Sequence, residues 1–305
     1  MATRKSPTSS RARTAKPGGA AFRHSTIALI YDFDGTLTPL PMQEYTVFPQ
    51  LGLDAATFWQ EVIAETTRTN ADTILTYMRL LVEKSHERNQ PLSRRDLARS
   101  AKDIEYYPGV RTWFGRMNRY VHARSNGRVT LNHYIISAGL QEILDGISIR
   151  KHFEHVYGCA YYFDDNGLAI FPRVVINDTT KTQFLFRINK GREELQEGVH
   201  EYMPHEQRRV PFANMVYLGD GITDVPCMAV MNQFGGHPIA VHAPGAAGAM
   251  GICKELCREK RIDFYAEADY RAGHTLETRV KLTLDLIIAR INHAAEVFAC
   301  RQEAH

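Results

Sequence analysis

The chain has few cysteines, no long apolar run and no acidic residue in its first 25 positions, and each shortage excludes something. The five cysteines are Cys159, Cys227, Cys253, Cys257 and Cys300, an odd number at scattered spacings. That leaves no disulfide framework and points to a reducing compartment, so a cytoplasmic location is expected. Cys253 and Cys257 stand four apart, on one face if the segment is helical, but no His or Cys pair at zinc spacing accompanies them, and they read as buried thiols. No segment approaches the roughly 20 apolar residues that cross a bilayer, and the start of the chain has no apolar core of a secretion signal. No membrane partner and no internal repeat is expected.

The formal charge of +3 misleads. Residues 1–25 hold Arg4, Lys5, Arg11, Arg13, Lys16 and Arg23; setting these six aside from the 37 basic residues leaves 31 against 34 acidic ones. The body of the chain is therefore slightly acidic and offers no electrostatic case for a nucleic-acid partner. The basic tail, rich in Ser, Thr, Arg, Ala and Gly without apolar periodicity, is expected to be disordered. Its composition also resembles an organelle transit peptide, although it lacks an amphipathic pattern.

What is present is a series of strand ends that carry charge. Residues 27–38, IALIYDFDGTLT, are an apolar run ending in Asp32 and Asp34, then Gly35 and Thr36. If strand geometry persists to its end, residues two apart point the same way and the two carboxylates face one space. Such a pair beyond a buried strand suits a hard cation and acid/base work, and open α/β sheets place ligands there; taken alone, it also fits a polar turn. Residues 216–224, VYLGDGITD, repeat the theme with Asp220 between two glycines and Asp224 four positions on. Residues 134–139, YIISAG, form a third strand that ends in Ser137, Ala138 and Gly139. Lys181 lies between the last two, just before the apolar-periodic Phe184, Leu185 and Ile188.

In this order the segments resemble the four motifs of the haloacid dehalogenase-like (HAD) superfamily, in particular its phosphoserine-phosphatase-like phosphohydrolases. DFDGTLT is similar to the first motif, Ser137 to the second, Lys181 to the third and GDGITD to the fourth, over roughly residues 27 to 243. A charged insert at residues 191–209 lengthens the third interval, and Lys190 competes with Lys181. Lys181 is preferred because it stands at the start of a predicted helix, as the family pattern requires.

The resemblance implies a Mg²⁺-dependent phosphomonoesterase acting on a small phosphorylated metabolite. Asp32 would be the nucleophile, and Asp34 the general acid and then base. Ser137 and Lys181 would hold phosphate, lined also by Gly35, Thr36, Ala138 and Gly139. Asp32 and Asp220 would be metal ligands through their side chains, Asp224 either a further ligand or a support behind them, and Asp34 would contribute its main-chain carbonyl. The same motifs also fit a phosphotransferase or mutase, or an idle scaffold that binds a phosphorylated ligand or a protein. Oligomeric state is not legible.

Strands alternating with helical patterns predict an α/β fold with a doubly wound parallel sheet; the resemblance implies a HAD-like Rossmannoid core, and the helical insert after the first motif resembles the family's inserted α-helical cap. The expected division is a tail at 1–25, a core at 26–38 and 109–305, and a helical cap at 39–108. Within the cap, Asn70 or Asp72 and then Ser93 read as helix caps. Glu44, Tyr45, Arg68, Tyr77 and Arg79 are candidates for substrate contact. An Asn-Gly at 166–167 predicts a hairpin with a type I′ turn. The glycine-rich residues 245–251 read as a loop, and Asp269-Tyr270-Arg271 as a surface turn in preference to a segment that approaches the rim of the site.

Overall fold

The computed structural model describes residues 22–304, so most of the basic tail lies outside the described residues. Seven strands form one sheet: β1 (Thr26–Tyr31), β2 (Thr130–Leu140), β3 (Phe153–Phe163), β4 (Ala169–Val174), β5 (Met215–Gly219), β6 (His237–His242) and β7 (Phe264–Glu267). Their order is β4-β3-β2-β1-β5-β6-β7. All neighbours are parallel except the edge pair β3 and β4. From β1 the chain winds outward through β2 and β3, then returns beside β1 and winds the other way. The sheet thus reverses between β1 and β5, which is where a doubly wound fold opens a crevice at its carboxyl ends.

Buried on both faces, the central strands read as continuous apolar runs, and residues 27–31 are wholly inaccessible. The one polar tip among them, Tyr31 Oη, accepts from Trp113 Nε1 at 2.8 Å and lies 3.0 Å from His133 Nδ1.

Six helices separate β1 from β2, the first five of them in the insertion: α1 (Met42–Tyr45), α2 (Val47–Leu51), α3 (Ala55–Thr69), α4 (Thr73–Glu87) and α5 (Arg94–Ser100). Asp72 and Ser93 accept the N–H groups of Leu75 and Asp96 and so cap α4 and α5 as expected. Asn70 instead ends α3 in the left-handed conformation, with φ 51°. The insertion is stitched to the sheet at several points. Tyr77 Oη donates to Ala138 O at 2.7 Å, Tyr161 Oη to Met78 O at 2.9 Å, and Ser93 bridges Leu168. At its base, Tyr107 N–H donates to Leu37 O at 3.0 Å.

The remaining helices are α6 (Val110–Arg124), α7 (Gln141–Gly146), α8 (Lys181–Lys190), α9 (Val225–Gln233), α10 (Ala247–Arg258) and α11 (Thr275–Glu303). The apolar stripe of α11 is buried from Leu276 to Ile291. Helix α10 corrects the loop reading of residues 245–251. Gly248 and Gly251 fall in its first turns, where burial of Cys253 and Leu256 further along outweighs the low helix propensity of glycine. The hairpin at 164–168 is also corrected. Gly167 N–H bonds Asp164 O at 2.9 Å and only Gly167 has positive φ (76°), so the turn is type I followed by a left-handed glycine. Asp164 Oδ1 favours this form by accepting the N–H groups of Asn166 and Leu168. All five cysteines are free, and among the described residues no helix is long and apolar enough to cross a membrane.

Candidate active site

Strand β1 stops at Tyr31, one residue before the first carboxylate. The N–H of Asp32 donates to Leu218 O on β5 at 2.9 Å, and Phe33 O then accepts from Thr36, Leu37 and Thr38 at 3.2, 2.8 and 3.2 Å. The chain therefore coils tightly after Asp32, and strand alternation is not what makes Asp32 and Asp34 neighbours. Gly35 is required twice over: its φ is +74°, and a Cβ there would collide with the Asp220 carboxylate.

Lys181 is the first residue of α8, and its side chain is buried beneath this coil. Its Nζ lies 3.1 Å from Asp32 Oδ1 and 2.8 Å from Asp224 Oδ1. Lys190 ends the same helix and donates to the carbonyls of Val199 and Glu201, at 2.5 and 2.6 Å, away from the carboxylates. The structure thus brings Lys181, and not Lys190, to Asp32. Ligand oxygens of Asp32, Asp220 and Asp224 all lie within 4.8 Å of one another. The Asp34 side chain is not among them. Its Oδ1 accepts the N–H of Met42 at 2.8 Å, and Oδ2 would lie 3.2 Å from a Cβ at Gly139.

Ser137, Ala138 and Gly139 sit where β2 breaks register with β3, between Ile136 and Leu140. Ser137 is fully buried, and its Oγ accepts the N–H of Gly139 at 2.9 Å. Thr36 Oγ1 is buried without a partner.

Four carboxylates confront one ammonium here, and burial acts strongly on Asp34, Asp32 and Asp220. It raises Asp34 to about 8, with the Asp32 charge adding to it. Asp32 is raised by burial against the pull of Lys181, and Asp220 by burial and then by Asp32 and Asp224. For Lys181 burial opposes the charge, but Asp224 and Asp32 outweigh it and hold the ammonium above its ordinary range. The consequence for stability has a definite sign. An aspartate with the unfolded value of 3.8 that is raised in the folded chain stabilises most below that value. The contribution is lost as pH climbs through about 8. A divalent cation held by this cluster would compete with those protons, and in that case saturating Mg²⁺ should raise the melting temperature more at pH 8 than at pH 6. Calorimetry checks this; an equal rise at both pH values would mean that the cluster is already ionised at pH 6.

The substrate-contact candidates divide. Arg68 and Arg79 lie on the surface of the insertion, paired with Glu65 and Glu83 at 2.5 to 3.2 Å. Glu44 Oε1 accepts from Trp59 Nε1 at 3.1 Å, and Tyr45 Oη accepts the N–H of Leu40 at 3.3 Å. Tyr77 alone reaches the β2 break, through Ala138 O. The surface-turn reading of Asp269-Tyr270-Arg271 is corrected: Tyr270 is fully buried and its Oη donates to Thr36 O at 2.8 Å. The hydroxyl roles of Tyr270 and Tyr217 were not read in the sequence; Tyr217 Oη donates to Asp224 Oδ1 at 2.6 Å. Tyr217 carries its polar tip within an apolar strand, and Tyr270 carries its own between two charged residues.

Comparison with known proteins agrees with this geometry. An uncharacterised protein of Borreliella burgdorferi is 27% identical over 284 residues, covering 83% of this chain and 95% of its own. A HAD family hydrolase of Salmonella enterica serovar Typhi superposes with a TM-score of 0.56 at 16% identity, over 86% of this chain and 72% of that one. A phosphoserine phosphatase, solved as an analogue of its phospho-aspartyl intermediate, gives 0.53 at 13% identity over 85% of this chain and 99% of that one. These likenesses show a shared fold. The family model for haloacid dehalogenase-like hydrolases matches residues 29–229, and with two thirds of the sequence spanned the chain belongs to that family.

Proposed function

We propose that the protein is a Mg²⁺-dependent phosphomonoesterase that hydrolyses a small phosphorylated metabolite through an aspartyl-phosphate on Asp32. One observation carries this reading: the Lys181 ammonium, buried and 3.1 Å from Asp32 Oδ1, holds ready a carboxylate at the sheet's switch point. A nucleophile must be ionised, and without that cation a carboxylate so buried would carry a proton.

The donor set fits a hard cation. Carboxylate oxygens of Asp32, Asp220 and Asp224 cluster without a thiolate or imidazole among them, three carboxyl groups beside the one ammonium of Lys181. Asp32 and Asp220 would hold the ion through side chains and Asp34 through its main-chain carbonyl. When bound, Mg²⁺ supplies positive charge toward the phosphoryl oxygens.

The chain's own groups do the rest. An Asp32 oxygen attacks phosphorus as the ester P–O bond breaks. Asp34, protonated at neutral pH because burial raises it to about 8, gives its proton to the leaving alkoxide. In the second step Asp34 takes a proton from water as that water attacks phosphorus, and the bond to Asp32 breaks. The Met42 N–H on Asp34 Oδ1 fixes which oxygen faces the reaction. Lys181 keeps a third N–H for a phosphate oxygen, and the orphaned Thr36 hydroxyl and the Ser137 segment would supply further phosphate contacts. The insertion at 39–108 would act as the cap that limits substrate size.

Purified protein should release phosphate from p-nitrophenyl phosphate with Mg²⁺, stop with EDTA, and recover when Mg²⁺ is added in excess. No release from this ester or from a panel of phosphorylated metabolites would overturn the reading.

A further inference from the structure

Asp224 is held by more donors than a metal ligand needs. Its Oδ1 accepts from Lys181 Nζ at 2.8 Å and from Tyr217 Oη at 2.6 Å, while Oδ2 accepts the N–H of Asp220 at 3.1 Å. The carboxylate is fully buried, and a Cβ at Gly219 would collide with it, so it is drawn tight against β5. An oxygen has two lone-pair directions, so Oδ1 is filled and a single direction remains on Oδ2. Asp224 is thereby a clamp more than a ligand: one oxygen fixes Lys181, and the other fixes the main chain that carries Asp220.

We infer that Tyr217 is a positioning residue that sets this clamp and, through it, the share of Lys181 that reaches Asp32. Tyr217 rises from the middle of β5 with its ring wholly buried, so its hydroxyl is carried on a rigid support. Two donors on one oxygen moderate the pull of that oxygen on each. Without the hydroxyl, Oδ1 keeps Lys181 alone, and no water can reach the buried oxygen to replace the lost donor. The ammonium then shifts toward Asp224 and away from Asp32. The inference rests on the proposed function for its catalytic consequence, but the geometry it asserts stands apart from any activity.

The test is Tyr217→Phe, which keeps the ring. In protein labelled with ¹⁵N-lysine, the buried Lys181 ammonium should give a resolved ¹H–¹⁵N signal, assigned by its loss in Lys181→Met. Tyr217→Phe should move that signal, with or without Mg²⁺, and leave those of exposed lysines in place. In the hydrolysis assay kcat should fall about tenfold, with KM within about twofold. A purely structural role would lower the melting temperature and leave both the Lys181 signal and kcat of the folded protein where they were, and that result overturns the inference. Should the variant not fold, 3-fluorotyrosine at position 217 strengthens the donor without changing the packing, and an unmoved Lys181 signal there overturns it equally. A signal that moves in a protein with no phosphatase activity would support the clamp and refute the proposed function.

Discussion

Asp32→Asn should lower turnover at least about 10⁴-fold and leave the fold intact. The amide has nearly the shape of the carboxylate but cannot form the phosphoryl bond, so both chemical steps vanish together. Folding responds the other way. Asp32 is raised by burial and by Asp224, which means the folded chain resists its charge, and a neutral amide removes one of four crowded carboxylates. Metal-free Asp32→Asn should therefore melt no lower than wild type at pH 8. Its response to Mg²⁺ should shrink, because one candidate ligand is gone. Phosphate release, a thermal melt and a Mg²⁺ titration on the same preparation separate these effects. Residual turnover of several per cent would move the nucleophile elsewhere.

Lys181→Met carries the second large effect, on both rate and stability. The ammonium is buried between Asp32 and Asp224, at 3.1 and 2.8 Å, and methionine leaves both carboxylates without it. Removing one partner of a buried ion pair costs about 3–5 kcal/mol. The loss should be largest at pH 8 without metal and should ease as the pH falls and the carboxylates take up protons. Turnover should fall about 10²- to 10³-fold, because the contact that steadies Asp32 and meets phosphate is absent. Lys190→Met is the matched control. Lys190 braces the carbonyls of Val199 and Glu201, so that variant should loosen the 191–209 insert and spare turnover. Reversed results would exchange the roles of the two lysines.

Much of the architecture was legible because local chemistry and burial agree. Apolar runs bounded by charged ends marked β1, β2 and β5, and Asp72 and Ser93 marked helix starts by the usual capping chemistry. Where the reading failed, a distant or weak force had decided. The glycines at 248 and 251 read as a loop because the packing of α10 through Cys253 and Leu256 is not visible in local composition. The hairpin turn went astray because Asp164, two residues before the Asn-Gly, chose its type. The site was legible in its carboxylates and lysine, which are conspicuous at strand and helix ends. The hydroxyls of Tyr217, inside an apolar strand, and of Tyr270, between Asp269 and Arg271, give no local hint of which distant group they will meet. Arg68 and Arg79 show what composition leaves out, the glutamates with which they pair on the surface of the insertion.

The base of the insertion bears on how the sheet assembles. Tyr107 N–H holds Leu37 O, and Tyr270 holds Thr36 O through its hydroxyl and Pro108 O through its N–H, each within 2.8 to 3.0 Å. Where the chain leaves β1's loop and where it comes back are thus tied into one knot. Seen from the sheet, everything between amounts to a single closed loop, and the entropy of closing it grows only with the logarithm of its length. Helices can be lengthened, shortened or exchanged inside that loop while β1 and β2 still find each other in register, so the insertion is free to diverge from the part of the chain that carries the carboxylates and Lys181.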